Sequence, residues 1–380
     1  MRVTMLNKYY QPHLGGIEHH MHDLALGLRA RDIEVSAIVA NEGRDLVEDV
    51  YEGVPVTRLP RAFAYASTPV AAAVRATLRA RENSPEPPDI VHLHSPYPWG
   101  EISWLSAGMR TPSVVTYHSD IVRQRFLGAA YRPWLERVLD AVDLIIASSP
   151  NLVEHSPVLS TRAEKCRVVP FGIDVARFDA TPRTLERATA LRAFHSRPVV
   201  LFVGRLVYYK GVDVLLKAAE HVDVDVVLIG AGPLEAPLRE WVAAHGMAER
   251  VKFLPPQPDA ELVAWYRAAD IFCLPSVARS EAFGLVQIEA QASGTPVIST
   301  DLTTGVPFAN LDGVTGLTVP VGDVPALQDA LARLVADDDL RSRLAAGALE
   351  RSRRDFTLAR MVDQTIDIYR EAIELHGSRG

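Results

Sequence analysis

A loop that combines glycine with cationic residues follows an apolar run near the middle of the 380-residue chain. Residues 204–211 read GRLVYYKG and lie between a predicted strand at 198–203 and a helical pattern. Arg205 and Lys210 stand five positions apart. They can converge on a phosphate, since a guanidinium binds phosphate oxygens as a fork and an ammonium as a point charge. The loop, which we call the basic loop, therefore indicates a phosphate-binding site or, taken alone, a solvated basic turn.

Small residues follow the next predicted strand. Residues 230–233 read GAGP and open the following helical pattern. Small side chains there let a ligand approach the backbone, and a helix N-terminus favours an anion. The segment lacks the third glycine of a dinucleotide-binding fingerprint, so a tight turn explains it equally well.

Two carboxylates flank the start of a later helix. Glu281 and Glu289 stand eight residues apart in the segment SEAFGLVQIEA, which follows the predicted strand ending at Pro275. A helix that begins near Phe283 would place Glu289 about two turns inside it and leave Glu281 in the preceding loop. The free N–H groups of residues 283–285 would then face the same crevice as the basic loop. Such carboxylates suit the hydroxyls of a sugar or ribose, because they only accept hydrogen bonds; surface salt bridging is the alternative.

The first half of the chain offers a glycine pair and several histidines. Gly15 and Gly16 follow the first predicted strand, where glycines permit the close approach of a ligand or simply form a turn. His92 and His94 alternate in another predicted strand and share one of its faces. A structural role is the expectation for an isolated histidine. His118 stands at the end of a further strand, and that position favours it as a functional residue.

These segments are positioned by apolar, β-branched runs that alternate with longer helical patterns. The alternation indicates βαβ units and a mostly parallel sheet. Two Rossmann-like domains are expected rather than one large sheet, because single cores stop growing at about 250–300 residues. Ligands of such sheets bind at the carboxyl ends of the strands. The predicted strands lie near 2–6, 33–39, 90–94, 113–117, 143–147, 167–170, 198–203, 224–229, 250–254, 271–274, 296–300 and 315–319.

The boundary between the domains is expected within residues 171–197, a stretch of mixed polarity that is typical of a linker. The first domain is predicted at 1–180 and the second at 195–355. Helices are predicted near 323–335, 337–353 and 357–376. An aspartate triplet opens the second of them and is interpreted as a helix cap rather than a metal site. The last helix is expected to return to the first domain.

Composition and charge exclude several classes of function. Hydrophobic residues make up 48% of the chain and charged residues 23%, which is typical of a soluble globular α/β protein. The net charge of −7 argues against a general nucleic-acid binder. The two cysteines, Cys166 and Cys273, offer neither a disulfide scaffold nor a cysteine-rich metal site. The sequence shows neither a signal-peptide pattern nor an apolar run of membrane-spanning length, so cytoplasmic residence is expected.

Taken in chain order, these segments resemble a retaining GT-B glycosyltransferase of glycosyltransferase family 4. The ordered set comprises the glycine pair, His118, the basic loop, the GAGP segment and the pair Glu281 and Glu289, and it spans essentially the whole chain. Each segment alone is weak, but the five together in register rarely arise by chance. The resemblance implies a GT-B fold, which is an α/β fold of two Rossmann-like domains facing an interdomain cleft. It also implies a nucleotide-sugar donor.

The resemblance further implies a role for each matched residue. Arg205 and Lys210 would bind the donor diphosphate, and Glu289 would hold the ribose hydroxyls. Glu281 would contact the transferred sugar and phosphate and, with His118, Arg205 and Lys210, would make up the catalytic set. The other implied donor contacts are Gly15 and Gly16 at the diphosphate and sugar, the backbone through Phe283, Gly284 and Leu285 at the sugar and phosphate, and Gly230, Gly232, Leu254 and Pro255 at the nucleotide base.

The mechanism that the resemblance implies requires no metal ion. Departure of a nucleoside diphosphate builds negative charge, which the basic loop and the helix N-terminus after Ser280 would stabilise. Asp223 and Asp225 spell a DxD motif, but it lies at the start of a predicted strand, away from the carboxyl-end crevice. The family is described as reacting on one face of the sugar, with the leaving phosphate taking the acceptor proton. We expect Lys210→Ala or Glu289→Ala to abolish transfer and leave the fold intact.

The sequence indicates the identity of the donor and the acceptor less clearly than it indicates the class of enzyme. The basic loop and the SEAFG segment resemble family members that act on mannose or rhamnose in surface polysaccharide assembly, so GDP-mannose is the favoured donor. UDP-glucose and UDP-N-acetylglucosamine are the alternatives. The acceptor is expected to be a saccharide or a lipid-linked molecule.

A membrane surface is a further expected partner. Residues 53–137 hold ten Lys or Arg against six Asp or Glu, and such a surface could meet anionic lipid at the inner leaflet. An ordinary arginine-rich helix surface is the alternative. The basic and large apolar side chains that follow His118 are Arg123, Arg125, Phe126, Leu127, Tyr131, Arg132 and Trp134.

Three other classes of function compete with this one, and the residues argue against the dehydrogenase among them. A non-hydrolysing nucleotide-sugar epimerase shares the architecture but would need acid and base residues that the sequence does not identify. A nicotinamide dehydrogenase would need the GxGxxG fingerprint and a ribose-binding acid at the first strand and helix, and neither is present. A non-enzymatic sugar-binding module is the third.

Overall fold

The computed structural model describes residues 1–13, 15–65, 68–120 and 125–378. The chain divides into two compact units. Met1–Phe171 and the chain from Leu358 onward form the first unit, and Gly172–Thr357 form the second. Within the described ranges, no helix combines the length and the apolar character needed to span a membrane.

The strands are numbered in chain order. They are β1 (Arg2–Leu6), β2 (Glu34–Ala40), β3 (Val47–Tyr51), β4 (Val54–Leu59), β5 (Phe63–Tyr65), β6 (Thr68–Val70), β7 (Ile90–Ser95), β8 (Ser113–Tyr117), β9 (Leu144–Ala147), β10 (Cys166–Val168), β11 (Val199–Val203), β12 (Asp225–Ile229), β13 (Val251–Leu254), β14 (Ile271–Leu274), β15 (Val297–Thr300) and β16 (Gly316–Val319).

The α-helices are numbered in the same way. They are α1 (Gly16–Arg29), α2 (Val74–Glu82), α3 (Pro98–Ala107), α4 (Arg125–Ala141), α5 (Pro150–His155), α6 (Pro182–Arg192), α7 (Val212–Ala219), α8 (Glu235–Ala244), α9 (Asp259–Ala268), α10 (Leu285–Ala292), α11 (Val306–Ala309), α12 (Val324–Ala336), α13 (Asp338–Asp355) and α14 (Leu358–Gly377).

The first unit is built on one sheet with the strand order β10-β9-β8-β7-β1-β2-β4-β3. Its strands pair in parallel from β10 to β4, and β3 pairs antiparallel with β4 at the edge. The C-terminal helix α14 shares an apolar cluster with α1, in which Met361 and Tyr369 lie with Met21 and Leu24. The end of the chain therefore completes the core of the first unit.

The second unit is built on a fully parallel sheet with the order β13-β12-β11-β14-β15-β16. The strands β11, β12 and β14 bury every side chain, because helices cover both faces of a parallel sheet, and they are apolar apart from Asp225 at the start of β12. The order reverses between β11 and β14, since β12 and β13 lie on one side of β11 and the later strands on the other. Ligands of doubly wound sheets bind outside the carboxyl ends of the strands at such a switch point.

The structure differs from the sequence prediction at one edge of the first sheet. The predicted parallel strands agree with the observed ones to within two residues at either end, but the hairpin of β3 and β4 was not predicted. β3 is an edge strand with mostly exposed residues, so it lacks the apolar run that marks a buried strand.

The stretch predicted as a linker is also more ordered than expected. It contains α6, which Thr181 and Thr184 start with a capping box and which Arg187 ties to Glu261 of α9. Residues 172–180, predicted to end the first domain, belong to the second unit, where the buried Phe178 contacts Tyr266. Asp337 accepts a hydrogen bond from the backbone of Leu340 and caps α13, as the sequence predicts.

Candidate active site

The switch point of the second sheet is bridged by an ion pair. The ammonium of Lys210, in the loop after β11, lies 2.6 Å from a carboxylate oxygen of Glu281, in the loop after β14. Both side chains are about nine-tenths buried, with relative exposures of 11% and 10%. Ser276 donates a hydrogen bond to the same carboxylate oxygen at 3.1 Å. The structure therefore brings two of the predicted catalytic residues together at the place where a parallel sheet binds its ligands.

The two loops are also joined through their backbones. The N–H of Val277 donates to the carbonyl oxygen of Tyr209 at 2.8 Å. Arg205, at the other end of the basic loop, is exposed, and its guanidinium has no hydrogen bond or ion pair to the described residues. A fixed ammonium and an exposed guanidinium in one loop can together neutralise a diphosphate.

The GAGP segment packs against the basic loop. A Cβ on Gly230 would lie 1.9 Å from the carbonyl oxygen of Gly204, and one on Gly232 would lie 2.3 Å from that of Leu206. Backbone hydrogen bonds join the two loops, with Leu206 N–H donating to Ala231 and Leu234 N–H donating to Leu206. The close packing requires glycine at both positions and joins the segment to the basic loop. The predicted approach of a ligand to the backbone of these glycines stays a prediction.

The adjacent strand end continues the same edge of the sheet. Gly230 N–H donates to the carbonyl oxygen of Leu254 at 2.9 Å. Leu254 is partly exposed and Pro255 is exposed. The two residues predicted to line the nucleotide base thus lie next to the GAGP segment, at the carboxyl end of β13.

A glycine in the left-handed region starts α10. Gly284 has a φ of 73°, and a Cβ there would lie 2.5 Å from the Leu274 side chain, so this turn requires glycine. Phe283 is buried and packs on Phe308 and Phe356, which anchors the loop. Gly284 is the N-cap residue, and the partly exposed Leu285 is the first residue of the helix.

The start of α10 places Glu289 differently from the prediction. Because α10 begins at Leu285 rather than near Phe283, Glu289 lies about one turn inside the helix and not two. Tyr266 donates a hydrogen bond from its hydroxyl to Glu289 Oε2 at 2.7 Å. The Tyr266 ring is fully buried, and burial raises the pKa of its phenol, as does the nearby Glu289 carboxylate. Tyr266 therefore stays a proton donor that holds the carboxylate, a role that the sequence did not reveal.

The glycine pair of the first unit lies at the start of α1. Gly15 is the N-cap residue in extended backbone, and a Cβ on it would lie 2.0 Å from a carboxylate oxygen of the buried Glu18. A Cβ on Gly16 would meet nothing within 4 Å. The open position is therefore Gly16, whereas Gly15 makes room for the Glu18 side chain.

His118 belongs to a cluster of buried histidines at the carboxyl end of the first sheet. Its backbone N–H donates to Ser95 at the end of β7, and its Nε2 lies 3.1 Å from Nδ1 of His94. The ring of His20, from α1, lies 5.1 Å from the ring of His118. His20, His94 and His118, which we call the histidine triad, are each less than a tenth exposed, and one ring nitrogen of each lies within 4.8 Å of the others.

Burial keeps the triad uncharged. Desolvation lowers the pKa of His20 to about 4 and holds the pKa values of His94 and His118 well below the ordinary value, with the neighbouring histidines acting in the same direction. Neutral imidazoles can accept a hydrogen bond or bind a metal ion. Neither a metal site nor a role for His20 was expected from the sequence, because the three histidines come from separate elements and only the fold brings them together.

Two other sequence predictions concern surface residues. Asp223 pairs with Arg197, and Asp225 pairs with the buried His195, at the amino end of β12, so the DxD motif lies away from the carboxyl edge, as the sequence predicts.

Of the residues assigned to a basic and aromatic surface, Tyr131 is instead buried and donates to Glu101. Arg123 lies outside the described residues, and the side chains of Arg125, Phe126 and Leu127 lie outside the described ones.

The other described residues of the basic and aromatic surface interact with neighbours on the same helix. Arg132 forms an ion pair with Glu136 on the same helix. Trp134 is 43% exposed, and the guanidinium of Arg137 lies 5.1 Å from the centre of its ring.

Comparisons with known proteins identify the family. The model of "Glycosyltransferase Family 4" matches residues 14–177, and that of "Glycosyl transferases group 1" matches residues 186–351. The chain is 34% identical to O-antigen chain mannosyltransferase C of Escherichia coli over 375 residues, which cover 98% of this chain and 99% of that protein. The chain belongs to glycosyltransferase family 4.

Further similarities place this family 4 glycosyltransferase among its relatives. It is 39% identical to D-rhamnosyltransferase WbpZ of Pseudomonas aeruginosa over 270 residues, which cover 71% of this chain and 70% of that one. The crystal structure of Anabaena Alr3699/HepE in complex with UDP superposes with a TM-score of 0.82 at 20% identity, covering 98% and 100% of the two chains. The fold is thus GT-B with two Rossmann-like units.

Family membership settles the class of function. The family 4 glycosyltransferase is an enzyme, a hexosyltransferase, rather than an epimerase, a dehydrogenase or a non-enzymatic sugar binder.

Proposed function

We propose that this glycosyltransferase moves mannose from GDP-mannose, with retention of anomeric configuration, to a saccharide or lipid-linked acceptor of a cell-surface polysaccharide. The observation that carries the proposal is the buried Lys210–Glu281 pair at the switch point of the second sheet, flanked by Arg205 and by Glu289. The choice of mannose is supported by the mannosyltransferase from E. coli, which matches over nearly the whole chain. UDP-glucose and UDP-N-acetylglucosamine are the competing donors, and the UDP complex of the structural neighbour is the reason to test them.

The proposed roles follow the positions of the side chains. Lys210 and Arg205 neutralise the donor diphosphate, and Glu289 accepts hydrogen bonds from the ribose hydroxyls while Tyr266 holds its orientation. Glu281 and the backbone amides at the start of α10 contact the transferred sugar and its phosphate. The first unit contributes Gly15, Gly16 and His118 at the diphosphate and the sugar.

The reaction exchanges one bond at the anomeric carbon for another. The bond from that carbon to the diphosphate oxygen breaks, the bond to the acceptor oxygen forms on the same face, and the acceptor proton passes to the departing phosphate. Negative charge grows on the leaving group, and preorganised cations that stabilise it lower the barrier. Because Lys210 and Arg205 supply this positive charge, transfer is proposed to need no metal ion.

A donor panel tests the proposal. The purified enzyme is incubated with GDP-mannose, UDP-glucose or UDP-N-acetylglucosamine and a mannoside acceptor, with and without EDTA, and nucleoside diphosphate release is measured. GDP release that EDTA does not reduce, with an α-mannoside product by NMR, is the expected result. Release of UDP alone would overturn the choice of donor.

Membrane attachment is a separate part of the proposal. The exposed Trp134 with Arg137 beside its ring is a side-chain pair suited to an anionic lipid surface at the inner leaflet. Flotation with vesicles of phosphatidylglycerol should carry the wild type more than the variant Trp134→Ala/Arg137→Ala. The variant Arg239→Ala, on α8 of the second unit, is the matched control, and equal flotation of all three proteins would count against a role for this surface.

A further inference from the structure

The histidine triad has a composition that the proposed transfer reaction does not explain. That reaction uses His118 alone at the donor sugar, yet His20 and His94 are buried against it. The three side chains come from α1, from β7 and from the loop after β8. Such convergence at the carboxyl edge of the first sheet places three imidazoles where a ligand of that unit would lie.

The hydrogen bonds of the triad are incomplete. His94 Nδ1 lies 3.1 Å from His118 Nε2, whereas His94 Nε2 is buried without a partner among the described residues. The neighbouring His92 differs, because its Nδ1 bonds to the hydroxyl of Tyr369 and its Nε2 to that of Thr116, each at 2.7 Å. His92 is thus a satisfied structural histidine, and the triad retains unused capacity to bind a ligand.

The chemistry of the three nitrogens selects a class of ligand. Imidazole nitrogens suit Zn²⁺, Cu²⁺ and Ni²⁺, whereas Mg²⁺ and Ca²⁺ prefer oxygen. The nitrogens of two histidines on one Zn²⁺ lie about 3.3 Å apart, given Zn–N bonds of about 2.0–2.1 Å. The 4.8 Å span of the triad exceeds that value, so metal binding requires the three rings to move closer together.

We propose that His20, His94 and His118 bind one divalent transition-metal ion of the Zn²⁺ class. Three protein ligands leave a fourth position for water or a substrate oxygen, as in open zinc sites. Phe171 covers the site from one side, with its ring 4.7 Å from that of His20 and 5.4 Å from that of His118. The binding rests on the first unit alone and goes beyond the proposed function, which uses no metal.

The site has a consequence for transfer that rests on the proposed function. A metal ion on His118 removes this side chain from the donor sugar, so zinc and sugar transfer exclude each other. Zinc therefore inhibits the enzyme, and a chelator restores its activity.

Cobalt titration tests the site independently of activity. The full-length protein is stripped with a chelator and titrated with Co²⁺, whose four-coordinate nitrogen complexes absorb visible light strongly, and Zn²⁺ is then added to displace it. We expect one Co²⁺ per chain, displaced by Zn²⁺, and at least tenfold weaker binding in His20→Ala, His94→Ala and His118→Ala. His155→Ala and His245→Ala, which change exposed histidines, are the matched controls and should bind like the wild type.

Each outcome decides the proposal. Absence of the cobalt absorption, or its persistence in all three triad variants, overturns it. Circular dichroism checks the fold of each variant, and His94→Gln replaces His94→Ala if the latter does not fold. If the protein shows no transferase activity with any donor, the cobalt spectrum still reports on the metal site, so the two proposals fail separately.

Discussion

At the scale of single residues, the Lys210–Glu281 pair links stability to function. Removing one partner of a buried ion pair leaves the other charge uncompensated and costs about 3–5 kcal/mol. Lys210→Ala is therefore expected to lower the free energy of unfolding by roughly that amount and to abolish transfer, while the fold stays intact as expected from the sequence. Urea denaturation measures the first effect and nucleoside diphosphate release the second.

Two further variants separate the loss of stability from the loss of transfer. Lys217→Ala breaks a pair with Asp213 on an exposed helix face, and its cost should stay below about 1 kcal/mol. Lys210→Met/Glu281→Leu removes both buried charges and should recover much of the stability without restoring transfer. A single variant Lys210→Ala as stable as the wild type would contradict the argument.

The hydroxyl of Tyr266 provides a test of how Glu289 is held. Tyr266→Phe keeps the buried ring and its contacts with Phe178 and Phe272 but removes the hydrogen bond to Glu289, worth about 0.5–1.5 kcal/mol. The KM for the donor is expected to rise roughly 2- to 13-fold, as that energy implies, and kcat to change little, because ribose binding is uniform between the ground and transition states. Steady-state kinetics with varied donor checks this.

The matched control lies in the first unit. Tyr369→Phe removes a similar buried hydroxyl bond, to His92, and should affect stability rather than the KM for the donor. A fall in kcat with an unchanged KM in Tyr266→Phe would assign Glu289 a role in the chemical step instead of in ribose binding.

Residues that follow apolar runs could be identified from the sequence, but the side chains that hold those residues in position could not. Arg205, Lys210, Glu281 and Glu289 were found because each stands near a strand end or a glycine. Tyr266 could not be found in this way, since it lies 23 residues from Glu289 and carries no local signal. The histidine triad was missed for the same reason, because α1, β7 and the loop after β8 meet only in the folded sheet.

At the scale of elements, the packing of the GAGP segment positions the basic loop. A Cβ on Gly232 would press on the carbonyl carbon and nitrogen of Leu206, at 2.7 and 2.8 Å, as well as on its oxygen. These are backbone atoms that cannot rotate away, so Gly232→Ala must displace one loop from the other. We expect a loss of stability on the order of 1–3 kcal/mol and weaker donor binding, measured by thermal denaturation and isothermal titration with GDP.

Gly43 offers the control for this substitution. It lies outside the sheet edge, and its nearest side-chain contact would be at 3.7 Å from Asn41, so Gly43→Ala should behave like the wild type. If Gly232→Ala also binds GDP like the wild type, the two loops do not act as one element.

Burial explains why the central strands were predictable, although β4, which also buries Val54, Val56 and Leu59, was missed. Central parallel strands bury both faces, so their apolar runs are visible in the sequence, and β11 and β12 appear where expected. The edge strand β3 is exposed and polar, and α6 buries only Ala188 and Leu191. Neither element shows the periodicity on which the prediction depends.

At the scale of the whole molecule, the buried histidines are expected to make the first unit less stable than the second at acid pH. His20, His92, His94 and His118 lie in the first unit, and desolvation lowers each pKa, to about 4 for His20 and about 3 for His92. In the unfolded chain these groups titrate near 6.5. The unfolded state therefore binds more protons below that pH, and stability falls as the pH drops from about 6.5 towards 4.

Glu101 acts in the opposite direction. Burial raises the pKa of its carboxyl to about 7, so the native state takes up this proton before the unfolded state does. Protonation of Glu101 therefore adds stability to the native state as the pH falls from about 7 to 4.5. This gain offsets the stability lost through one of the four histidines. The net difference of about three protons, each worth about 1.4 kcal/mol per pH unit, leaves the first unit destabilised by several kcal/mol at pH 5.

The expected outcome is that acid opens the first unit before the second. Hydrogen exchange at pH 7 and pH 5 should show β1, β7, β8 and α14 losing protection while β11 and β12 keep theirs, because local opening follows local stability. Glu101→Gln removes the offsetting proton and should make the acid loss steeper, whereas His92→Gln should make it shallower by one proton. Equal protection of both sheets at the two pH values would contradict this account, because the single proton gained by Glu101 cannot offset four buried histidines of the same unit.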